Sequence, residues 1–174
     1  MKDLSMIIWL FPIIFMLHDF EEIIMFNAWS KRNETKISSI AKGHIPFNFN
    51  ASTAAFSFGV AEEFIIISFV TLFSSLSDNY LAWYGIFIAF TFHLILHFVQ
   101  LFIFKKYIPA TITSIILFPI SIYMIYKVYI LVNFAAISLI ISILLSTIIM
   151  IANIFALHKL MSSVDCWLNR FMKI

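Results

Sequence analysis

Cysteine is nearly absent from this chain: Cys166 is the single one in 174 residues. That excludes an intrachain disulfide, and with it any zinc cluster built on several thiolates. Glycine is scarce as well, at three residues, and no pair of Gly-broken apolar segments stands at matched positions, the pattern that marks many carriers. Charge is the third shortage. Only 11% of residues are Asp, Glu, Lys or Arg, against roughly 25% in soluble domains. The formal net charge of +2 is small and dispersed, which argues against a nucleic-acid partner.

Long apolar runs fill the space. The chain is 63% hydrophobic and its mean hydropathy is +1.02. The runs lack the strict alternation that strands of a membrane barrel would need. The prediction is an all-α, polytopic membrane helical bundle forming a single transmembrane domain over residues 1–174. About five transmembrane helices can be drawn, over residues 4–27, 51–74, 80–104, 108–130 and 133–157. The start does not read as a cleavable leader: the apolar run Met6–Leu17 leads straight into charged residues with no small-residue cleavage site. The 21 phenylalanines read as lipid-facing bulk and core filling rather than a cofactor box.

Between the runs, the one long loop extends from Lys31 to about Phe49, with Gly43 and Pro46 as breakers. Asp78-Asn79 marks the next turn, Lys105-Lys106-Tyr107 before Pro109 the one after, and Lys127, Tyr129 and Asn133 a tight last hairpin. Beyond residue 157, Val164, Trp167, Leu168 and Phe171 recur at helical spacing, which predicts a short C-terminal interfacial helix. Lys31, Arg32, Lys36, Lys42, Lys105, Lys106, Lys159, Arg170 and Lys173 fall on one side of this topology, and only Lys2 and Lys127 on the other. The N-terminus is therefore expected outside and the C-terminus in the cytosol.

The apolar runs are not clean. The first contains His18-Asp19-Phe20-Glu21-Glu22, the second Glu62 and Glu63, and the third His93 and His97. Ionisable side chains inside a membrane span cost several kcal/mol on insertion scales and usually mark function. At about 100° per residue, His18, Glu21 and Glu22 share one helix face, and His93, His97 and Gln100 another. Asp19 points away from Glu21. Counted at 1.5 Å per residue, these groups fall within a band about 10 Å tall in the cytosolic half of the bilayer. The hydroxyls of Thr111, Thr113 and Ser114, and the amide of Asn153, reach similar depths and are candidate supporting partners.

Five of the nine acids (Asp19, Glu21, Glu22, Glu62 and Glu63) lie inside spans that hold no clear Lys or Arg. Buried carboxylates must be paired, bind a metal or take up protons. Imidazole with carboxylate suits zinc, iron or manganese, as one ion or two. The predicted ligands are His18, Glu21, Glu22, Glu62, His93 and His97, with Glu21 and Glu22 also the candidate catalytic groups. Asp19, Glu63, Gln100, Thr113 and Asn153 are expected to support them. A lone intramembrane histidine is more often a hydrogen-bonded core residue; what favours a metal is the company of carboxylates. His44 and His158 carry no such signal.

The stretch His18-x-x-Glu21-Glu22 resembles the signature of the HXXEE-domain family of small bacterial integral membrane proteins. A second stretch supports it: His97-x-x-Gln100, then Lys106-Tyr107-x-Pro109, then Thr113, with Leu117-x-Pro119 following. Two positions depart from the family's pattern, Ala110 where glycine is usual and Lys106 for arginine. The resemblance implies a multi-span protein of the bacterial cytoplasmic membrane with a polar active site that includes His18, Glu21, Glu22, His97 and Gln100. It implies no particular reaction.

The function expected is that of a metal-dependent membrane enzyme acting on a lipid or other lipid-soluble substrate, either a hydrolase with a Glu general base or a di-iron oxidoreductase. The alternative is a proton- or cation-coupled transporter using the same acids, for which a homodimer would offset the short chain. A non-catalytic subunit is a third reading, but helix association through polar contacts, at about 0.6 kcal/mol each, does not account for five buried carboxylates.

Overall fold

The computed structural model describes residues 2–41 and 51–172. Lys42, Gly43, His44 and Pro46 of the first loop, and Lys173 of the tail, lie outside them. Regular structure among the described residues is entirely helical: α1 (Lys2–Arg32), α2 (Glu34–Ala41), α3 (Thr53–Ser77), α4 (Leu81–Phe104), α5 (Thr111–Val132) and α6 (Ala136–Phe171). Four of these, α3 to α6, are long and apolar enough to cross a membrane. They overlay the expected runs to within a few residues, except that α6 runs on well past residue 157. α1, drawn as a fifth span from the sequence, is not among the four. It spans 31 residues and carries Asp19, Glu21 and Glu22 in its second half.

Helix neighbours follow one closed circuit. α1 packs on α3, α3 on α6, α6 on α4, α4 on α5 and α5 back on α1, with α4 also reaching across to α1 and α3. The half of the bundle nearest the start of α1 is filled by rings. Phe11 meets Phe87 edge-on at 4.8 Å between centroids and Trp83 at 5.7 Å, while Trp83 stacks on Phe87 at 4.8 Å. Offset and edge-on contacts of this kind add to simple burial. Pro12 lies inside α1 and has no N–H to give the carbonyl four residues earlier, that of Ile8. The Trp83 indole donates to the Ile8 carbonyl instead, at 3.2 Å. Where no water is at hand, such a replacement partner is what lets a proline persist.

α4 and α6 approach closely because of Gly85. A Cβ built there would lie 2.7 Å from the Ser142 carbonyl oxygen, so no larger residue fits without moving a helix. Beside it, Ser142 donates its hydroxyl to the Leu81 carbonyl at 2.6 Å.

The α3–α4, α4–α5 and α5–α6 reversals are tight and use left-handed residues: Asp78 (φ 53), Lys105 (φ 52), Ala110 (φ 65) and Asn133 (φ 53). Asp and Asn tolerate that region; Ala does so at a cost.

Two sequence expectations need correction. The stretch after Arg32 is not irregular loop at its start, because Glu34–Ala41 forms α2. There is also no separate interfacial helix at the C-terminus: α6 continues unbroken for 36 residues through Val164, Trp167, Leu168 and Phe171. No helix breaker falls between residues 157 and 164, so the polar residues there change the surface without ending the helix. This stretch is tied to the bundle by Asp165, which accepts from both the main-chain N–H (3.1 Å) and the hydroxyl of Ser52, the N-cap of α3.

Lys31, Arg32 and Lys36 come together with Lys105 and Lys106 at one end of the bundle. Trp29 of α1 donates to the Tyr107 carbonyl (2.8 Å) and Lys36 of α2 to the Phe104 carbonyl (2.7 Å), which fixes α1, α2 and the α4–α5 turn together.

Candidate functional site

In its second half α1 faces α4 and the first turn of α5, and there the packing changes from rings to polar groups. His18 and His97 are buried and His93 half-buried. One ring nitrogen from each comes within 4.8 Å of the others. His93 Nε2 and His97 Nε2 lie 3.0 Å apart, one helical turn removed on α4. His97 Nδ1 sits by the main-chain carbonyl of buried Pro109 without a hydrogen bond of good geometry.

A chain of hydrogen bonds fixes the His18 ring. Glu21 accepts from the Tyr107 hydroxyl (2.7 Å), the Thr113 N–H (2.8 Å), the Thr113 hydroxyl (2.7 Å) and, at 3.4 Å, the Ile112 N–H. The Thr113 hydroxyl also reaches the Ala110 carbonyl at 3.2 Å and His18 Nδ1 at 3.1 Å. A hydroxyl has one proton, and the Glu21 carboxylate and the Ala110 carbonyl can only accept it. With Glu21 ionised and taking the Thr113 proton, His18 Nδ1 is assigned as the donor to Thr113. The neutral ring then has its lone pair on Nε2, a buried atom with no hydrogen-bond partner among the described residues. A buried imidazole nitrogen so prepared, with two more beside it, could hold a metal ion, and the donor set suits zinc, iron, copper or nickel.

Glu21 has a structural duty as well. α5 begins after left-handed Ala110 with no capping side chain of its own. The Glu21 carboxylate supplies the cap from another helix, where the positive end of the helix dipole favours it. Tyr107, in the turn outside the spans, completes this arrangement. Burial first, and then its bond to Glu21, raises the Tyr107 hydroxyl above its ordinary value, so it remains a proton donor.

The other predicted residues separate into groups. Glu22, one position on, leaves Glu21 behind and places Oε1 3.5 Å from His97 Nε2. Glu62 accepts from the Asn153 side chain at 3.0 Å and is not part of the histidine group. Asp19 and Glu63, together with Glu22 and His93, line a cavity of about 190 Å³ whose remaining walls come from α1, α3, α4 and α6. Gln100 is exposed on α4. The structure brings the three histidines and Glu22 together, with Thr113 joining His18 to Glu21, whereas Glu62 is held by Asn153.

Two features had no signal in the residue pattern alone. Tyr107 appeared only inside the Lys106-Tyr107-x-Pro109 stretch, with nothing to say that its hydroxyl meets Glu21. The apolar cavity wall from α6, including Met150, Ile154 and Leu157, looks like any other membrane helix in the sequence.

The family model described as "Protein of unknown function with HXXEE motif" matches residues 9–124. That range contains all three histidines, Glu22 and the α4–α5 turn. No curated protein and no solved structure matches the chain.

Proposed function

We propose, of a chain that belongs to the HXXEE family, that it is an integral membrane enzyme in which His18, His93 and His97 hold one divalent transition metal ion. The observation that carries this is the His18 ring, held at Nδ1 by the Glu21–Thr113 chain with a buried, unpartnered Nε2 and with one ring nitrogen within 4.8 Å of those of His93 and His97. Three histidines with a position left open are a known catalytic zinc set. An ion held there would act as a Lewis acid and bring the pKa of water toward about 7. Glu22, at 3.5 Å from His97 Nε2 and on the cavity wall, is placed to accept a proton as general base. Glu21 keeps the His18 ring in its ligating tautomer and holds the start of α5.

This geometry favours the hydrolytic version over the di-metal oxidative one. A di-iron centre would draw its bridging carboxylate from Glu21, Glu22 or Glu62; Glu21 and Glu62 are engaged by hydrogen bonds elsewhere, which leaves Glu22 alone beside the histidines. The substrate is a lipid-soluble molecule entering the cavity between α1, α3, α4 and α6. The basic end of the bundle faces the cytosol on the positive-inside rule, with α1 as a fifth span.

Metal analysis of the detergent-purified protein tests the reading. About one zinc, iron, copper or nickel ion per chain is expected, lost in His97→Ala while the helical circular dichroism is kept; a wild-type protein without metal overturns it. The alternative, a cation-coupled transporter, draws on Asp19 and Glu63, acids on the same cavity with unpaired oxygens. Ion flux in proteoliposomes that disappears in Glu22→Gln would favour it.

A further inference from the structure

The cavity beside the histidines combines two kinds of wall. Most of it is apolar, from Phe56 and Val60 on α3, Leu96 on α4, and Met150, Ile154 and Leu157 on α6. Against this stand Asp19, Glu22 and Glu63, close enough to feel one another's charge. Asp19 is only 4% exposed. Its Oδ2, and Glu63 Oε1, have no hydrogen-bond partner among the described residues. Among the described residues no Lys or Arg lines the cavity, His93 and His158 are the basic groups on it, and Glu22 is the acid paired with His97. Buried carboxylates call for a positive partner.

A second small metal ion is poorly matched to them. Among the described residues, only the three histidines gather ligand atoms within 4.8 Å of one another. Acids spaced more widely suit a larger cation that presents several N–H donors in different directions. A primary ammonium has three.

The route in is lateral. Phe92 and Leu96 on α4 and Ile151 on α6 belong to the cavity lining and are also exposed on the side of the bundle. Both helices are long and apolar enough to cross a membrane, so this flank faces lipid tails. The mouth is apolar and the acids lie deeper, the order in which an amphiphile entering head first would meet them.

We propose that the cavity binds a long-chain primary amine, or a lipid with such a head, with its ammonium held by Asp19 and Glu63 and its hydrocarbon tail between α4 and α6. This rests on the reading above that the cavity is the substrate site, and it names the substrate class. The ammonium would be set beside Glu22 and the three histidines, which would place the bonds near the head of the molecule within reach of the site.

Titration calorimetry on the full chain in neutral detergent, with octylamine and octanol as probes, tests the proposal. Octylamine is expected to bind at least tenfold more tightly than octanol. Asp19→Asn combined with Glu63→Gln should remove that preference while bound metal is unchanged. Equal affinity for amine and alcohol, or a preference that survives the double substitution, overturns the proposal. So does displacement of octylamine by a second equivalent of zinc or manganese. Leu96→Trp narrows the mouth without altering charge and serves if the double variant does not fold: both probes should then bind at least tenfold more weakly, and undiminished octylamine binding overturns the proposal. The metal reading fails separately, through a protein that holds amine but no metal.

Discussion

The two halves of the α1–α4 contact are built from the same pair of helices and follow opposite rules. Toward the start of α1, Phe11, Trp83 and Phe87 fill the space between the helices, and the carbonyl that Pro12 leaves free is taken by Trp83. Toward its end, His18, His93 and His97 face one another across the same contact, yet His18 Nε2, Asp19 Oδ2 and His97 Nδ1 have no hydrogen-bond partner among the described residues. Unsatisfied polar atoms are costly where water is excluded, and proteins seldom keep them without a use. The aromatic half of this contact is packing alone, whereas the polar half carries the candidate ligands and, through Glu21, also caps α5.

The strongest test of that division sets one substitution from each half side by side. Phe11→Ala should lower unfolding stability in detergent by on the order of 3 kcal/mol, from lost packing and a cavity, while molecules that remain folded bind metal normally. His97→Ala should do the reverse and leave the unfolding midpoint close to that of metal-free wild type. If both variants lose stability and metal together, the halves are not separable.

A finer probe is Thr113→Val, which keeps the shape of the side chain and removes the hydroxyl between Glu21 and His18. Supporting bonds of this kind are worth about 10–100-fold in metal affinity, and a loss of that size is expected. Unchanged affinity would show that the His18 tautomer does not depend on Thr113. The smallest effect concerns the turn that carries Thr113 into place. Ala110→Gly relieves the left-handed strain at φ 65 and should raise stability by about 0.5–1 kcal/mol in thermal unfolding, with metal affinity unaltered.

Much of this was legible in the residue pattern, for a physical reason. His93 and His97 are four apart, and their depth along the span matches that of His18, so periodicity and rise alone bring them together. The separation of Glu21 from Glu22 was not legible. About 100° of rotation divides them, and which neighbour each meets depends on where α5 begins, a tertiary fact set by Tyr107 and left-handed Ala110. The continuity of α6 was missed because Lys159 and the serines after it look like the end of a membrane segment. They alter what the helix surface touches and leave its hydrogen bonding intact. α2 was missed because eight residues with few apolar positions give little periodic signal.

The length of α6 has a mechanical consequence. At 1.5 Å per residue its 36 residues reach about 54 Å, well beyond a hydrocarbon layer about 30 Å thick. An upright α6 therefore carries its last turns, with Trp167 and Phe171 exposed, beyond the layer on the same stiff rod that bears Met150 and Ile154. Anything that grips that projecting mast also has hold of one wall of the chamber inside.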